Sequence, residues 1–185
     1  NKAQAIYANY LERSEKTRLA MFQEVVARAQ AQAVAEPRNP NAHYWLAYAL
    51  GRYSQSISVA KALAQGLGSR IKMALETTIA LSPGHADAHI ALGTFHAEVI
   101  DKIGSLLGRT QGASKDAGLE NFRQALRLNP NSAIAMVEYA NGLVMLEGEK
   151  RMKQAEKLYA DAAACEAADA MERLDIEMAK EELAD

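Results

Sequence analysis

The chain has 185 residues, and its hydrophobic fraction of 49% and charged fraction of 24% are typical of a folded globular protein and exclude intrinsic disorder. Its 21 basic and 23 acidic residues give a net charge of −2, which offers no basic footprint for nucleic acid. No apolar run reaches the roughly eighteen residues that a membrane span needs. One cysteine, Cys165, excludes an internal disulfide framework and a cysteine-based zinc finger.

Helical segments separated by prolines are predicted along the whole chain. Alanine accounts for one residue in five, and the four prolines each follow one helical pattern and precede another. Residues 2–35 hold apolar positions on both sides of a polar stretch, which predicts two helices with Ser14 as the cap of the second; one long helix is the alternative. The remaining predicted helices cover 42–57, 59–81, 86–107, 115–128, 132–146, 150–165 and a last segment that begins at Asp169.

Glycine, serine and acidic residues mark where these helices begin and end. Gly108 is expected to stop the helix over 86–107, and Ser114 is expected to cap the next one. Asp169 and Glu172 have the spacing of a capping box at the start of the last helix. No segment alternates with a period of two, so the sequence predicts an all-α fold of about 7–9 helices.

Three segments that follow the prolines share one pattern. Residues 41–49 (NAHYWLAYA), 85–93 (HADAHIALG) and 132–140 (SAIAMVEYA) each place a large side chain three positions before Tyr or Leu, and then a small residue. Small residues let two helices approach closely, while the large neighbours fill the space beside them. The prolines before these segments are 43 and 47 residues apart, which is the length of two helices with their turns.

Together with ENFRQALRLNP at residues 120–130, this pattern resembles the tetratricopeptide repeat (TPR), which has a Trp, Leu-Gly and Tyr series on its first helix, then Ala, Phe and Ala on its second, and then Pro. The units are longer than those of about 34 residues in that family. Elongated hairpins of this kind occur in the regulator-of-microtubule-dynamics family and in the T component of some periplasmic transporters, and residues 83–130 look more like the first.

The resemblance implies a TPR-like stack of antiparallel helical hairpins, an α-α superhelix, in one domain over residues 1–185. Its parts are a degenerate N-terminal hairpin (1–39), repeats at about 40–82, 83–129 and 130–165, and a C-terminal capping helix (168–184).

The same resemblance implies a concave groove lined by the first helix of each hairpin. It implies binding of another protein or a peptide segment, without catalysis, metal or cofactor, and the alternative is that the terminal helices fill the groove. Within the groove, Tyr53, Asp87, Glu98 and Asn141 are expected to orient the partner. The residues expected to face the groove are His43, Leu46, Leu50, Tyr53, Asp87, Ile90, Thr94, Glu98, Ile134, Val137, Asn141 and Val144.

Three histidines and the cysteine are the first candidates for chemistry. His85, His89 and His96 fall on one helical stripe, but the eleven residues from first to last span about 16 Å of helix, so only His85 and His89 could share a metal ion. Packing between helices is the preferred interpretation of these histidines. Cys165 lies in an alanine-rich segment with no histidine nearby, which indicates a packed thiol rather than a nucleophile.

Two other functions stay open beside the interaction module. The loop GRTQGASK at 108–115 has neither the spacing of a P-loop nor a strand before it, but Arg109 and Lys115 could attract an anionic ligand there. A small-molecule-binding accessory protein of the periplasmic-transporter type is therefore the alternative. A metal-dependent enzyme that uses His85 and His89 is the third and weakest hypothesis.

Charge and chain ends leave several properties open. Residues 161–185 carry a charge of −7 and residues 1–160 a charge of +5, and the acidic end is interpreted as a solvated face. Self-association is neither indicated nor excluded. A single cysteine suits the cytosol, whereas a chain that begins at Asn1 without methionine suits an exported protein with its leader removed, so the compartment stays open.

Overall fold

The computed structural model of the chain describes residues 1–184, and these form α-helices and turns without a strand. The predicted all-α class is confirmed. No helix in residues 1–184 is both long enough and apolar enough to cross a membrane. The helices are α1 (Lys2–Tyr10), α2 (Glu15–Ala35), α3 (Pro40–Gln55), α4 (Val59–Ala64), α5 (Leu67–Leu81), α6 (Ala86–Thr110), α7 (Lys115–Leu128), α8 (Ala133–Glu147), α9 (Met152–Ala163) and α10 (Ala170–Ala184), with a 3-10 turn at Glu149–Arg151.

Serine side chains begin four of these helices. The Ser14 hydroxyl accepts the backbone N–H of Thr17 at 3.3 Å, so the cap predicted within residues 2–35 is confirmed and two helices form there. Each such cap satisfies a backbone N–H that has no carbonyl partner within the helix. The helices α4, α7 and α8 begin in the same way, with Ser58, Ser114 and Ser132.

Glycines with positive φ divide two of the predicted helices. Gly66 has a φ of 61° and separates α4 from α5, so the helix predicted over 59–81 is two helices and the total rises to ten within residues 1–184. Gly104 has a φ of 76° and a ψ of 161° and interrupts α6. Gly108, where the sequence placed the helix stop, is instead buried and helical, and a methyl group at its Cα would lie 3.4 Å from Ile100.

The capping box predicted at the last helix is present with a small change. Asp169 Oδ1 accepts the N–H of Glu172 at 2.9 Å and that of Met171 at 2.8 Å. Glu172 Oε2 in turn accepts the N–H of Ala168 at 2.7 Å, one residue earlier than in the standard motif. The two acids therefore satisfy three backbone N–H groups at the start of α10.

The chain divides into two compact units after Gly84, two residues beyond the end of the predicted repeat 40–82. Unit 1 comprises α1 to α5, with α3 packed against α2 and α5. Its core includes Ala5, Val25 and Ala49, and Trp45 packs against them. Unit 2 comprises α6 to α10, with α8 packed against α6, α7, α9 and α10. The single TPR-like domain stays a prediction.

Phe122 lies at the centre of unit 2. Its ring is fully buried between two glycines, Gly93 of α6 and Gly142 of α8, and it stacks on Tyr139 with a centroid distance of 5.4 Å and an interplanar angle of 17°. The absence of a Cβ on either glycine gives the ring its space, because a methyl group at Gly93 would lie 2.9 Å from the ring carbons. Leu119, Leu143 and other apolar side chains complete this cluster.

An ion-pair cluster joins the start of α7 to the end of α8 in unit 2. Lys115 Nζ lies 2.9 Å from Glu147 Oε1, and Arg151 pairs with the other carboxylate oxygen. The hydrogen bonds from Lys115 and then Arg151 lower the pKa of Glu147 to about 2. The side chain of Glu147 is 10% exposed, so little of its carboxylate contacts solvent and each oxygen is paired with a cation.

Replacing Glu147 with glutamine is expected to destabilise unit 2 at about pH 5 and to have little effect at about pH 2. The pKa is lower in the folded chain than the usual value of 4.5, so the stabilisation is complete above pH 4.5 and is lost as the pH falls to about 2. Urea unfolding of the wild type and of Glu147→Gln at both pH values measures the difference in unfolding free energy. An equal difference at the two pH values would contradict this prediction.

Candidate functional site

The structure buries five of the twelve residues predicted to face the groove. Leu50 and Val137 are each 1% exposed, which leaves no surface for a partner to contact in this conformation. His43 and the other predicted residues of α3 lie in unit 1, and the remaining eight lie in unit 2. The groove therefore stays a prediction, and its contact surface is restricted to Asp87, which is exposed, and to six partly exposed side chains. The buried residues are Leu46, Leu50, Tyr53, Ile90 and Val137; the partly exposed ones are His43, Thr94, Glu98, Ile134, Asn141 and Val144.

The polar groove residues are engaged within their own units. Thr94 Oγ1 donates to Glu138 Oε2 at 3.0 Å, and Glu98 pairs with Lys102 at 3.3 Å. Asn141 Oδ1 accepts from the hydroxyl of Tyr159, whose pKa is raised by burial and by the charges of Glu182 and Glu138. In unit 1, His43 Nε2 donates to the carbonyl of Pro37 at 2.9 Å. A partner would have to compete with these hydrogen bonds.

The three histidines have structural roles in unit 2. His85 begins α6, where its Nδ1 accepts the N–H of Ala88 at 3.2 Å, and its pKa is lowered chiefly by burial. His96 Nδ1 accepts the N–H of Ser114 at 3.3 Å.

His89 Nδ1 lies 2.9 Å from Asn121 Oδ1, and the amide of Asn121 donates to the Ala117 carbonyl, so the ring nitrogen is the donor. The packing interpretation of the histidines is thus supported by three separate hydrogen bonds. Within residues 1–184 no group of three His, Cys, Asp or Glu side chains is arranged to hold a metal ion.

The remaining sequence candidates in unit 2 are also engaged. Burial, and then the charges of Asp161 and Glu172, raise the pKa of Cys165, so its thiol is protonated at neutral pH. Lys115, proposed as an anion ligand beside Arg109, has its charge paired with Glu147. Residues 108–115, which are the end of α6, a short loop and the start of α7, therefore offer one exposed cation, Arg109, to a ligand.

A cleft of about 720 Å³ lies in unit 1 and was not predicted from the sequence. It is bounded by the end of α1, the first two turns of α2, the last turn of α3 and the segment that leads into α4. Three cationic side chains and one carboxylate line the cleft together with uncharged polar groups. The apolar side chains of the lining come from α2 and from Ile57. Its lining residues are Asn9, Glu15, Lys16, Arg18, Leu19, Phe22, Arg52, Gln55, Ser56, Ile57 and Ser58.

The local structure places these cations at one end of the unit. The Ser14 cap starts α2 immediately before Lys16 and Arg18, and the end of α3 brings Arg52 to the same cleft. Arg52 is held by a contact over the ring of Tyr48, with 5.3 Å from Cζ to the ring centroid, and by a hydrogen bond to Gln55 at 3.2 Å.

Lys16 and Arg18 are placed where they weaken the helix that carries them. Cations in the first turns of a helix oppose its macrodipole, at a cost of about 0.3–1 kcal/mol each when exposed. Neither side chain forms an ion pair or side-chain hydrogen bond within residues 1–184. The two charges are therefore not neutralised within the described residues, and an anionic group that enters the cleft can pair with them.

The positive charge concentrated in unit 1 is the signal of the cleft that sequence reasoning missed. Residues 1–84 hold ten Lys and Arg against five Glu and no Asp, a charge of +5, whereas residues 85–160 hold nine of each sign. The excess of +5 that the sequence analysis assigned to residues 1–160 thus belongs entirely to unit 1. A division of the chain at Pro83 and Gly84 would have shown it.

Comparison with known proteins identifies the family. The family model described as regulator of microtubule dynamics protein 1-3 matches residues 1–184, and no curated protein sequence matches the chain. The resemblance of residues 83–130 to that family is confirmed, while the TPR-like assignment stays a prediction. Since the match extends over nearly all of the 185 residues, the chain belongs to the regulator of microtubule dynamics protein 1-3 family.

Proposed function

We propose that this chain is a non-enzymatic binding module that takes part in the regulation of microtubule dynamics and contacts the microtubule through the cleft of unit 1. The family description supplies the microtubule context, and the helical hairpins are typical of interaction modules. The observation that carries the proposal is the pair Lys16 and Arg18, two cations in a concave site that have no ion pair within residues 1–184.

The charge of the whole unit supports binding to an acidic protein surface. A charge of +5 on residues 1–84 creates a positive potential that attracts an acidic partner before contact is made. The cleft then supplies concave geometry and cationic hydrogen-bond donors at one end of the unit, so a partner binds at a defined place on the unit rather than being attracted diffusely.

The TPR-like groove is the second contact surface in this proposal. Asp87 is exposed in the first turn of α6, and Ile134 and Val144 are partly exposed on α8, so unit 2 keeps polar and apolar points at the predicted positions. These residues give unit 2 a contact surface of its own.

Binding of a small anionic molecule is a second candidate function, and the volume of the cleft favours it. A volume of about 720 Å³ falls within the range of about 300–1,000 Å³ typical of small-molecule sites. Native mass spectrometry of the purified chain separates the candidates, because a small-molecule binder is expected to retain a ligand that Lys16→Glu/Arg18→Glu does not.

Reversing the two cations of the cleft is expected to weaken binding to microtubules by about tenfold or more. Each reversal replaces an attraction with a repulsion in a concave site, where screening by salt is weaker than on an open surface. Co-sedimentation of the wild type and of Lys16→Glu/Arg18→Glu with polymerised tubulin measures the change in the dissociation constant. Both side chains lie at the surface, so far-UV circular dichroism is expected to be unchanged.

The matched control is Arg38→Glu/Arg70→Glu, which changes the net charge equally but replaces two exposed cations outside the cleft. Its binding is expected to stay within about twofold to threefold of the wild type, because only long-range steering changes. Equal losses of microtubule affinity in the two variants would show that binding depends on the net charge of the chain and not on the cleft. Unchanged co-sedimentation of Lys16→Glu/Arg18→Glu would remove the cleft from the proposal.

A further inference from the structure

We propose that the ligand of the unit 1 cleft is an acidic peptide segment in which an apolar side chain stands between carboxylates. This inference rests on the proposed function and names the chemistry of the segment that the site receives. The cations, the apolar side chains and the one carboxylate of the cleft are the groups that such a segment would meet.

The cations of the cleft set the requirement for carboxylates. Lys16 offers a mobile ammonium group, and Arg18 offers a planar guanidinium that can bind a carboxylate with two parallel hydrogen bonds. The guanidinium of Arg52 is already oriented by Tyr48 and Gln55, so it loses little side-chain entropy when a ligand binds beside it. Lys16 and Arg18 form no ion pair within residues 1–184, so the carboxylates of a ligand can neutralise their charges.

The apolar side chains of the cleft require more than an inorganic anion. Leu19 and Ile57 are partly exposed beside the buried ring of Phe22. A phosphate or sulfate ion would fill a small part of about 720 Å³ and would leave these apolar groups in water. A peptide can place an apolar side chain against them while its backbone meets the amide and hydroxyl groups of the walls, such as Gln55 and Ser56.

Glu15 sets the pattern of charge along the segment. It lines the cleft next to Lys16, and it repels any carboxylate placed opposite it. An unbroken run of acids places a carboxylate opposite Glu15 and is repelled there. A segment with an apolar residue at that position avoids this repulsion.

The test is a titration of the full chain against labelled peptides, followed by fluorescence anisotropy. The probe is a peptide of repeated Glu-Glu-Leu triplets, and the comparison peptides replace every Leu with Ser or every Glu with Lys. The wild type is expected to bind the Glu-Glu-Leu peptide about tenfold more tightly than the Ser version. Binding of the Lys version is expected to be undetectable, and affinity for the Glu-Glu-Leu peptide is expected to fall as salt rises from about 0.05 M to about 0.5 M.

Variants then assign the binding to the cleft. Lys16→Glu/Arg18→Glu is expected to lose about tenfold or more in affinity for the Glu-Glu-Leu peptide, while Arg38→Glu/Arg70→Glu stays within about threefold of the wild type. Glu15→Gln is expected to bind a peptide of glutamates alone more tightly than the wild type does, because it removes the repelling carboxylate. A change that only altered the fold of α2 would not raise affinity for one peptide class.

Several results would overturn the inference. Equal affinity for the Leu and Ser peptides would show that the apolar side chains are not used, and equal losses in the two charge-reversed variants would show that the cleft is not. Binding to phosphatidylserine vesicles that depends on Lys16 and Arg18, with no binding of the peptide, would assign the site to membranes instead. If co-sedimentation with microtubules depends on Lys16 and Arg18 but the peptide does not bind, this inference is contradicted and the proposed function is not. If the peptide binds but Lys16→Glu/Arg18→Glu does not change co-sedimentation with microtubules, the proposed function is contradicted and this inference is not.

Discussion

Replacing Phe122 with alanine is expected to lower the free energy of unfolding by about 3–5 kcal/mol, a large fraction of the stability of a domain of this size. The ring is fully buried and extends from α7 to lie between two other helices, beside Gly93 of α6 and Gly142 of α8. Its removal leaves a cavity between helix backbones, which are too stiff to collapse into the space. The stacking on Tyr139 is lost as well.

Urea unfolding of the full chain, followed by far-UV circular dichroism, measures this loss. Circular dichroism is the appropriate probe because the single tryptophan, Trp45, lies in unit 1 and does not report on Phe122. Phe122→Leu serves as the graded control and is expected to cost less than the alanine variant, because it leaves a smaller cavity. A loss below about 1 kcal/mol for Phe122→Ala would contradict the central position assigned to the ring.

Local signals in the sequence predicted most helix boundaries correctly. Ser14 and Ser114 lie directly before the helices that they cap, and Asp169 and Glu172 lie within one turn of each other, so the hydrogen bonds that define these ends join neighbouring residues. Interactions of this range depend little on the rest of the fold. Sequence patterns are therefore sufficient to find them.

The glycines were harder to interpret because their roles depend on tertiary contacts. The helix stop near the end of α6 was predicted at Gly108, and no break was predicted at Gly104. In the structure Gly104 has the positive φ, whereas Gly108 is helical and buried close to Val99 and Ile100. A glycine needed for close packing and a glycine needed for its backbone conformation look the same in a sequence.

The predicted groove residues show a second limit of periodicity. A helix with one partner has one buried face, but α3 packs against α1, α2 and α5, and α8 packs against α6, α7, α9 and α10. Such central helices bury side chains on opposite faces, so Leu50 and Val137 are buried at positions that the repeat pattern assigns to the groove. Periodicity identifies an apolar face but does not count the neighbours of a helix.

The unit 1 cleft could not be found from motif spacing. Its lining residues come from three helices and from the segment before α4, and Asn9 and Ser58 are 49 positions apart in the sequence. The charges of Lys16, Arg18 and Arg52 each resemble an ordinary solvated cation when read alone. Their common location follows from the antiparallel packing of α2 and α3, which brings the start of one helix beside the end of the other.

Two glycine-to-alanine substitutions in helices are expected to change stability in opposite directions. Gly142→Ala should destabilise the chain by about 1–3 kcal/mol, because the new methyl group would overlap Cε2 of Phe122 and lie 2.7 Å from its Cζ. Gly51→Ala should stabilise it by about 0.5–1 kcal/mol, because no atom lies within 4 Å of the new methyl group and alanine is the better helix former. Urea unfolding of both variants under identical conditions gives the two differences in free energy.

The double variant Phe122→Leu/Gly142→Ala tests the cause of the larger effect. The smaller leucine leaves room beside Phe122 for the methyl group at residue 142, so the double variant should be more stable than the sum of the two single changes predicts. The coupling expected between residues in contact is about 0.5–3 kcal/mol. Strict additivity would mean that Gly142→Ala acts through the helix itself rather than through the ring, and a stabilising Gly142→Ala would show that α8 can move away from α7. If the coupling is found, the glycine at residue 142 is explained by the aromatic ring of Phe122 that it accommodates.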